Sequence, residues 1–165
     1  MDTTLGNKSR IYHSGYGYSQ KRCSLITNWF ISTFLPKHHI DVTVHHRGMV
    51  REDAVGYCDW IGTSYNPRDF EIELQSGMDA RFYTETLLHE LVHLRQWVQG
   101  TLKMRSGKFH WKNEDIHHIE YLKQPHEVEA FREEGILYRR FMKEIYDVTV
   151  EKPIHHFPNR LTQSL

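Results

Sequence analysis

The chain has 165 residues and a mass of 19.8 kDa, enough for one domain with a real core and too little for a second enzyme module. Its 21 basic residues balance 21 acidic ones, so the composition excludes a general electrostatic pull towards nucleic acid or an anionic membrane, and neither is expected as a partner. No stretch reaches the roughly 18 apolar residues that span a bilayer, and the opening MDTTLGNKSR lacks the apolar centre of a secretion signal. A cytoplasmic protein is therefore expected, with Cys23 and Cys58 as packed, reduced thiols.

Residues 1–19 are rich in Gly, Ser, Thr and Tyr without a sustained period, which predicts a flexible N-terminal arm, with a turn at Tyr16 to Tyr18. From Gln20 to Leu35, Leu25, Ile26, Trp29, Phe30, Thr33 and Phe34 recur at helical spacing before Pro36. Ile40 to Arg47 alternates Ile40, Val42 and Val44 with polar residues, the pattern of a strand with one buried face. His45 and His46, at its end, are expected on the surface. Ala54 to Ile61 reads as a second strand and Phe70 to Gln75 as a third, with Phe70, Ile72 and Leu74 on one side. The spacing predicts a small, mostly antiparallel sheet, whose exposed edge is a place where an extended peptide can pair.

Arg81 to Gly100 reads as a helix with Asp79 as its N-cap, and it carries His89-Glu90-Leu91-Val92-His93, an HExxH pattern. Residues four apart share a helix face, so both imidazoles can reach one tetrahedral Zn2+. Glu90, rotated by about 100°, sits beside that metal, placed to take a proton from water. The pattern is short and the chain holds 13 histidines, so context has to carry it. Tyr83, Leu87, Leu91, Leu94 and Val98 cluster on one side of the helix, and His89, His93, Phe82 and Thr86 fall nearly opposite. A core face and a separate metal face result.

Thr101 to Gln124 is a long connection, either a flap over the metal face or an ordinary surface loop with a short strand. Pro125 opens a last helix that runs to about Tyr146, and residues 147–165 form a C-terminal tail. The folded unit is thus expected to be 20–146, a single domain of α+β class.

A catalytic zinc needs a third protein ligand, and His110, His117, His118, His126, Glu127 and Glu129 are candidates. With Glu127 at zero degrees, Ala130, Phe131, Leu137, Tyr138, Phe141 and Ile145 lie within roughly 80°, whereas Glu129 falls about 160° away and is expected to point to water. Glu127 is thus centred on the apolar face, where a carboxylate needs a neutralising cation: a metal, or an Arg in a buried salt bridge. Glu134 shares the stripe about 10.5 Å further along, too far to ligate the same ion, and is either a hydrogen-bond partner of a ligand or the end of the stripe.

His89-Glu90-Leu91-Val92-His93, followed by Pro125-His126-Glu127-Val128-Glu129-Ala130, resembles the gluzincin zinc metallopeptidases. With Gln96, Gly100 and the pair Trp111-Lys112, it looks most like small SprT-like and phage-type metallopeptidases. The resemblance covers about Phe70 to Tyr146. It implies a zincin-like fold, one Zn2+ per chain held by His89, His93 and Glu127, Glu90 as catalytic base, a peptide or protein substrate, and the host cytoplasm if the chain is phage-encoded. Thermolysin-like members carry an Asp four residues after the ligand Glu; Phe131 stands there, so the supporting carboxylate comes from elsewhere or is absent. Tyr121 and His126 are the nearest candidates for an oxyanion donor. The chain lacks the Cys-rich zinc ribbon of many SprT-like proteins, and cleavage of DNA-bound proteins is not implied. The rival readings are a catalytically silent binding or assembly module on the same fold, and a set of surface histidines that sequesters metal.

Overall fold

The computed structural model describes residues 9–151 and 162–163. The elements run β1 (Arg10–Gly15), α1 (Gln20–Phe34), β2 (Asp41–Arg47), β3 (Gly56–Trp60), β4 (Asp69–Gln75), α2 (Ala80–Gln99), β5 (Leu102–Arg105), β6 (Lys108–Trp111), β7 (Glu114–Asp115), a 3-10 turn (Tyr121–Lys123), α3 (Pro125–Tyr146) and β8 (Thr162–Gln163). The class is α+β, with a five-stranded sheet in the order β1-β2-β4-β3-β8 and a small β5-β6-β7 meander. No helix among the described residues is long and apolar enough to cross a membrane.

The main sheet is mixed rather than mostly antiparallel: β1 with β2, β2 with β4, and β3 with β8 are parallel, and β3 with β4 is antiparallel. Two features of the chain path cause this. The expected irregular arm contains a strand, and the helical crossover from β1 through α1 returns the chain to β2 in the same direction. Strand β4 then inserts between β2 and β3 instead of extending a meander, so β2 and β4, separated by two reversals, run alike. Along β1 the burial pattern is weak because it is an edge strand held on one side, which is why its sequence shows no alternation. Residues 1–8 of the expected arm, and 152–161 and 164–165 of the tail, lie outside the described residues.

One face of the sheet carries the core. Val42, Val44 and His46 of β2 stand beside Phe70, Ile72 and Leu74 of β4, and Cys58 beside Ile72; all are buried. The helices lie over this face, with α2 central and in contact with α1, α3, β3 and β4. The opposite face is polar: Arg47 bonds Glu73 at 2.6 Å and also pairs with Glu52, and His45 meets Glu71 at 2.9 Å. His46 is in the core and not on the surface. Its ring stacks on Tyr18 at 3.4 Å between centroids and bonds the Tyr83 hydroxyl at 2.8 Å, because its position in the pleat matches that of Val42 and Val44.

Helix α2 begins at the Asp79 N-cap, whose carboxylate accepts the Phe82 N–H at 2.9 Å. It ends at Gly100, in the left-handed conformation with φ 73° that favours glycine. The helix is buried on nearly every side from Tyr83 to Val98, not along a single stripe. On α3, Ala130, Leu137, Tyr138 and Phe141 are buried as the stripe predicts, whereas Ile145 is exposed.

Candidate metal centre

Helices α2 and α3 pack antiparallel, with His89 beside Phe131 and Glu134, and Gln96 beside the first turn of α3. This alignment brings His89, His93 and Glu127 together, all fully buried, with one ligand atom from each within 4.8 Å of the others. The closest approaches are nearly equal. His89 Nε2 is 3.2 Å from His93 Nε2 and 3.3 Å from Glu127 Oε2, and His93 Nε2 is 3.1 Å from Glu127 Oε1. Donors about 2.0–2.1 Å from a tetrahedral ion stand ~3.3 Å apart, so the spacing is that of three ligands around one metal.

The proton arrangement agrees. His89 Nδ1 lies 2.9 Å from Glu134 Oε2, and His93 Nδ1 lies 2.9 Å from Gln96 Oε1. A carboxylate and an amide oxygen only accept, so each ring carries its hydrogen on Nδ1 and turns the Nε2 lone pair inward. Three electron-rich atoms therefore converge in a dry space, and either extra protons or a metal cation must sit among them. With protons alone, burial disfavours charge on His89, but the bonds to Glu127 and Glu134 outweigh it and push the imidazole up to about 10. Burial would likewise raise Glu127, yet the interaction with His93 and the bonds from both imidazoles hold it well below the usual carboxylate range. His89, His93 and Glu127 are thus a set that could bind a metal ion, and their burial does not match a surface sequestering set.

Glu90 is buried beside this cluster, and neither of its carboxylate oxygens has a hydrogen-bond partner among the described residues. Burial pushes its pKa well above the ordinary value; the charge on His89 opposes this, and Glu127 and Glu134 add to it. Gly56 of β3 is what makes room for the side chain: a Cβ there would lie 2.6 Å from Glu90 Oε1. A cleft of about 570 Å³, walled by Met49, Val55, Met78 and Phe82 among others, opens at the N-terminal end of α2. Val55 adjoins Gly56, and Phe82 precedes His89 by two helical turns, ~10.5 Å.

The other sequence candidates are placed as follows. The Tyr121 hydroxyl, at the 3-10 turn, donates to Glu127 Oε1. His126 is buried, with Nε2 3.7 Å from Glu127 Oε1 and its ring against His93, Phe109 and Tyr121; neither ring nitrogen has a hydrogen-bond partner among the described residues. Burial first, and then the electrostatic interaction with His93, lower its pKa to about 4, so the ring is neutral at pH 7. Glu134 supplies a carboxylate to His89, while Phe131 packs on the same ring with centroids 4.6 Å apart. Glu129 does not simply point to water: it accepts from Gln96 Nε2 at 2.9 Å and stands 3.8 Å from Arg95. His117 and His118 are exposed, and His110, part-buried on β6, turns Nδ1 to the Lys108 carbonyl. None of these three joins the cluster.

Residues 101–124 are a three-stranded meander and a 3-10 turn rather than an open loop. Phe109 of the meander packs on Trp97 and His126, closing one side of the cluster. Lys112 lies 6.0 Å from the ring of Trp111. Gln96 has a role that helical phase alone did not reveal: its oxygen takes the His93 hydrogen, and its nitrogen donates to the His126 carbonyl at 3.0 Å and to Glu129. Its position one turn after His93 on the same face was the available signal. Cys23 and Cys58 are free, buried thiols. No family model, curated protein or solved structure matches the chain.

Proposed function

We propose that the chain is a zinc-dependent peptide hydrolase of gluzincin type. The observation that carries this reading is the pairing of two unlike features at one place. The inward lone pairs of His89 and His93 meet the Glu127 carboxylate at ligand spacing, and the Glu90 carboxylate lies buried next to them without a hydrogen-bond partner among the described residues. The donor set, two imidazoles and one carboxylate, suits Zn2+ with one position left open. Bound there, zinc supplies Lewis acidity to the scissile carbonyl and to the attacking water.

The chain's own groups do the rest. Glu90 takes a proton from the attacking water on a carboxylate oxygen and delivers it to the leaving amine nitrogen. Glu134 and Gln96 hold the two imidazoles in one tautomer and one orientation. Tyr121 fixes the Glu127 carboxylate. The apolar cleft beside Val55 and Phe82 offers a place for a substrate side chain flanking the reacting bond. The test is Glu90→Gln. It is expected to retain one zinc per chain by elemental analysis and to lose at least about a hundredfold in hydrolysis of an unfolded protein. Unchanged hydrolysis removes Glu90 from the chemistry, and zinc binding without any hydrolysis by the wild type assigns the fold to a binding or assembly role.

A further inference from the structure

The polar face of the main sheet, away from the helices and the metal cluster, carries a second set of reactive groups. Ser14 of β1 stands opposite His45 of β2, and its hydroxyl lies 2.6 Å from His45 Nδ1. His45 Nε2 lies 2.9 Å from Glu71 Oε1 of β4. Thr43 is the residue opposite Glu71, so this carboxylate reaches His45 along the diagonal, while Glu73, directly opposite His45, is taken by Arg47 at 2.6 Å. A carboxylate only accepts, so the His45 hydrogen sits on Nε2 and the Nδ1 lone pair accepts the hydrogen of the Ser14 hydroxyl. A hydroxyl, an imidazole and a carboxylate bonded in that order are a nucleophile, its base and the group that orients the base.

The backbone at Ser14 is fixed as well. His46 Nδ1 donates to the Ser14 carbonyl at 2.8 Å, and its Nε2 is tied to the Tyr83 hydroxyl. Gly15, at φ 99°, has no Cβ to strike the His46 carbonyl, which lets the end of β1 lie close against β2. Ser14 is thus held by a core histidine through its carbonyl and by a surface histidine through its hydroxyl. It is exposed, and the side chains of His45 and Glu71 are 37% and 41% exposed, so a reagent can reach the hydroxyl. Tyr12, exposed two residues earlier on the same side of the strand, offers an apolar ring beside it.

We propose that Ser14, His45 and Glu71 form an acyl-accepting site, in which the Ser14 hydroxyl takes an acyl group from an activated ester. The hydroxyl oxygen attacks the carbonyl carbon as its proton passes to His45 Nδ1, and Glu71 stabilises the imidazolium that results. The bond from the carbonyl carbon to the leaving oxygen then breaks, the leaving group takes the proton back from His45, and an ester on Ser14 remains. On an open sheet face the expected product is one acyl group per chain rather than turnover. The site uses none of the metal cluster and is independent of the hydrolase reading.

The experiment treats the full chain with p-nitrophenyl acetate and locates the acetyl group by mass spectrometry of peptides. Ser14 is expected to be acetylated at least about tenfold faster than Ser32 and Ser106, which are exposed elsewhere on the same chain. His45→Gln is expected to slow the reaction of Ser14 about a hundredfold and to leave Ser32 and Ser106 unchanged. Glu71→Gln, which keeps an acceptor but removes the charge, is expected to slow Ser14 at least about tenfold, again without effect on the other two. All three changes lie on the outer face, so the circular-dichroism spectrum of each variant is expected to match that of the wild type. Acetylation of Ser14 no faster than of Ser32 and Ser106 overturns the proposal, as does an unchanged rate at Ser14 in His45→Gln or in Glu71→Gln.

Discussion

Glu134 Oε2 stands 2.9 Å from His89 Nδ1, so α3 reaches the same imidazole from both sides: Glu127 meets Nε2, and Glu134, two turns on, meets Nδ1. The position four residues after Glu127 is filled by Phe131, which packs against that ring and leaves the polar contact to the next turn. Replacing Glu134 with Gln is expected to weaken zinc binding about 10–100-fold, measured by competition with a chelator. A neutral amide still accepts the Nδ1 hydrogen but no longer stabilises charge on the ring. Unchanged zinc affinity would show that the carboxylate is dispensable.

Gln96 does the corresponding work for His93. Gln96→Ala is expected to lower zinc affinity by about tenfold or more. It also loosens the tie between α2 and the first turn of α3, because the same side chain donates to the His126 carbonyl and to Glu129. Chelator competition on the variant tests the first effect, and exchange of amides near the start of α3 tests the second.

Gly56→Ala isolates the space around Glu90. The added methyl would fall 2.6 Å from Glu90 Oε1, so the carboxylate must move. Zinc content is expected to stay at one per chain while hydrolysis drops at least about tenfold, and the overpacking costs about 1–3 kcal/mol of stability. Full activity in this variant would mean that Glu90 tolerates displacement and is not held where the structure puts it.

Metal and protons compete for the same atoms, which gives a pH dependence of defined sign. In the zinc-free protein His89 is raised from an ordinary 6.5 to about 10. Its charge therefore contributes stability that is fully present below pH ~6.5 and is lost as pH climbs through about 10. The Tm of chelated wild type is expected to fall over that window, a His89→Gln variant should lack this component, and zinc-loaded protein should be much less affected. Zinc binding should weaken, with more protons released, as pH is lowered. A chelated protein whose Tm matches the His89→Gln variant in pH dependence would contradict the assignment.

The helices and the inward face of α3 were readable because helical phase is a property of the sequence alone, whereas the all-round burial of α2 was not. The bounds Gln20, Pro125 and Tyr146, the Asp79 cap, and the inward aim of Glu127 follow from spacing and end signals. Sheet topology was not readable in the same way. Val42, Val44, Phe70, Ile72 and Leu74 declare which face is buried, but alternation carries no information about strand direction or neighbour order, and the edge strand β1 hides among polar residues. At the site, the closeness of His89, His93 and Glu127, a set that could bind a metal ion, was legible from residue type and helical phase. Of the groups that steer it, Gln96 lies one turn after His93 on the same helix, whereas the contact of Glu134 with His89 depends on how α2 and α3 align, which is a tertiary fact. His46 was misplaced because a histidine beside another histidine looks solvated, although the pleat sends only His45 outward.

The burial of α2 has a consequence for what happens when the site is emptied. One side of that helix is anchored by the sheet and α1, and the other meets α3 along a seam that includes polar contacts: His89 with Glu134 and Glu127, His93 with Glu127, and Gln96 with Glu129. Glu127 follows His93 by 34 residues, so an ion shared by them acts as a clamp across a long loop of chain. Withdrawing it would strand buried charge where the first turns of α3 meet α2, while Leu137, Tyr138 and Phe141 further along α3 keep their places in the core. If the site holds an ion, stripping it should therefore register as a loosening of the first turns of α3 rather than as collapse of the domain.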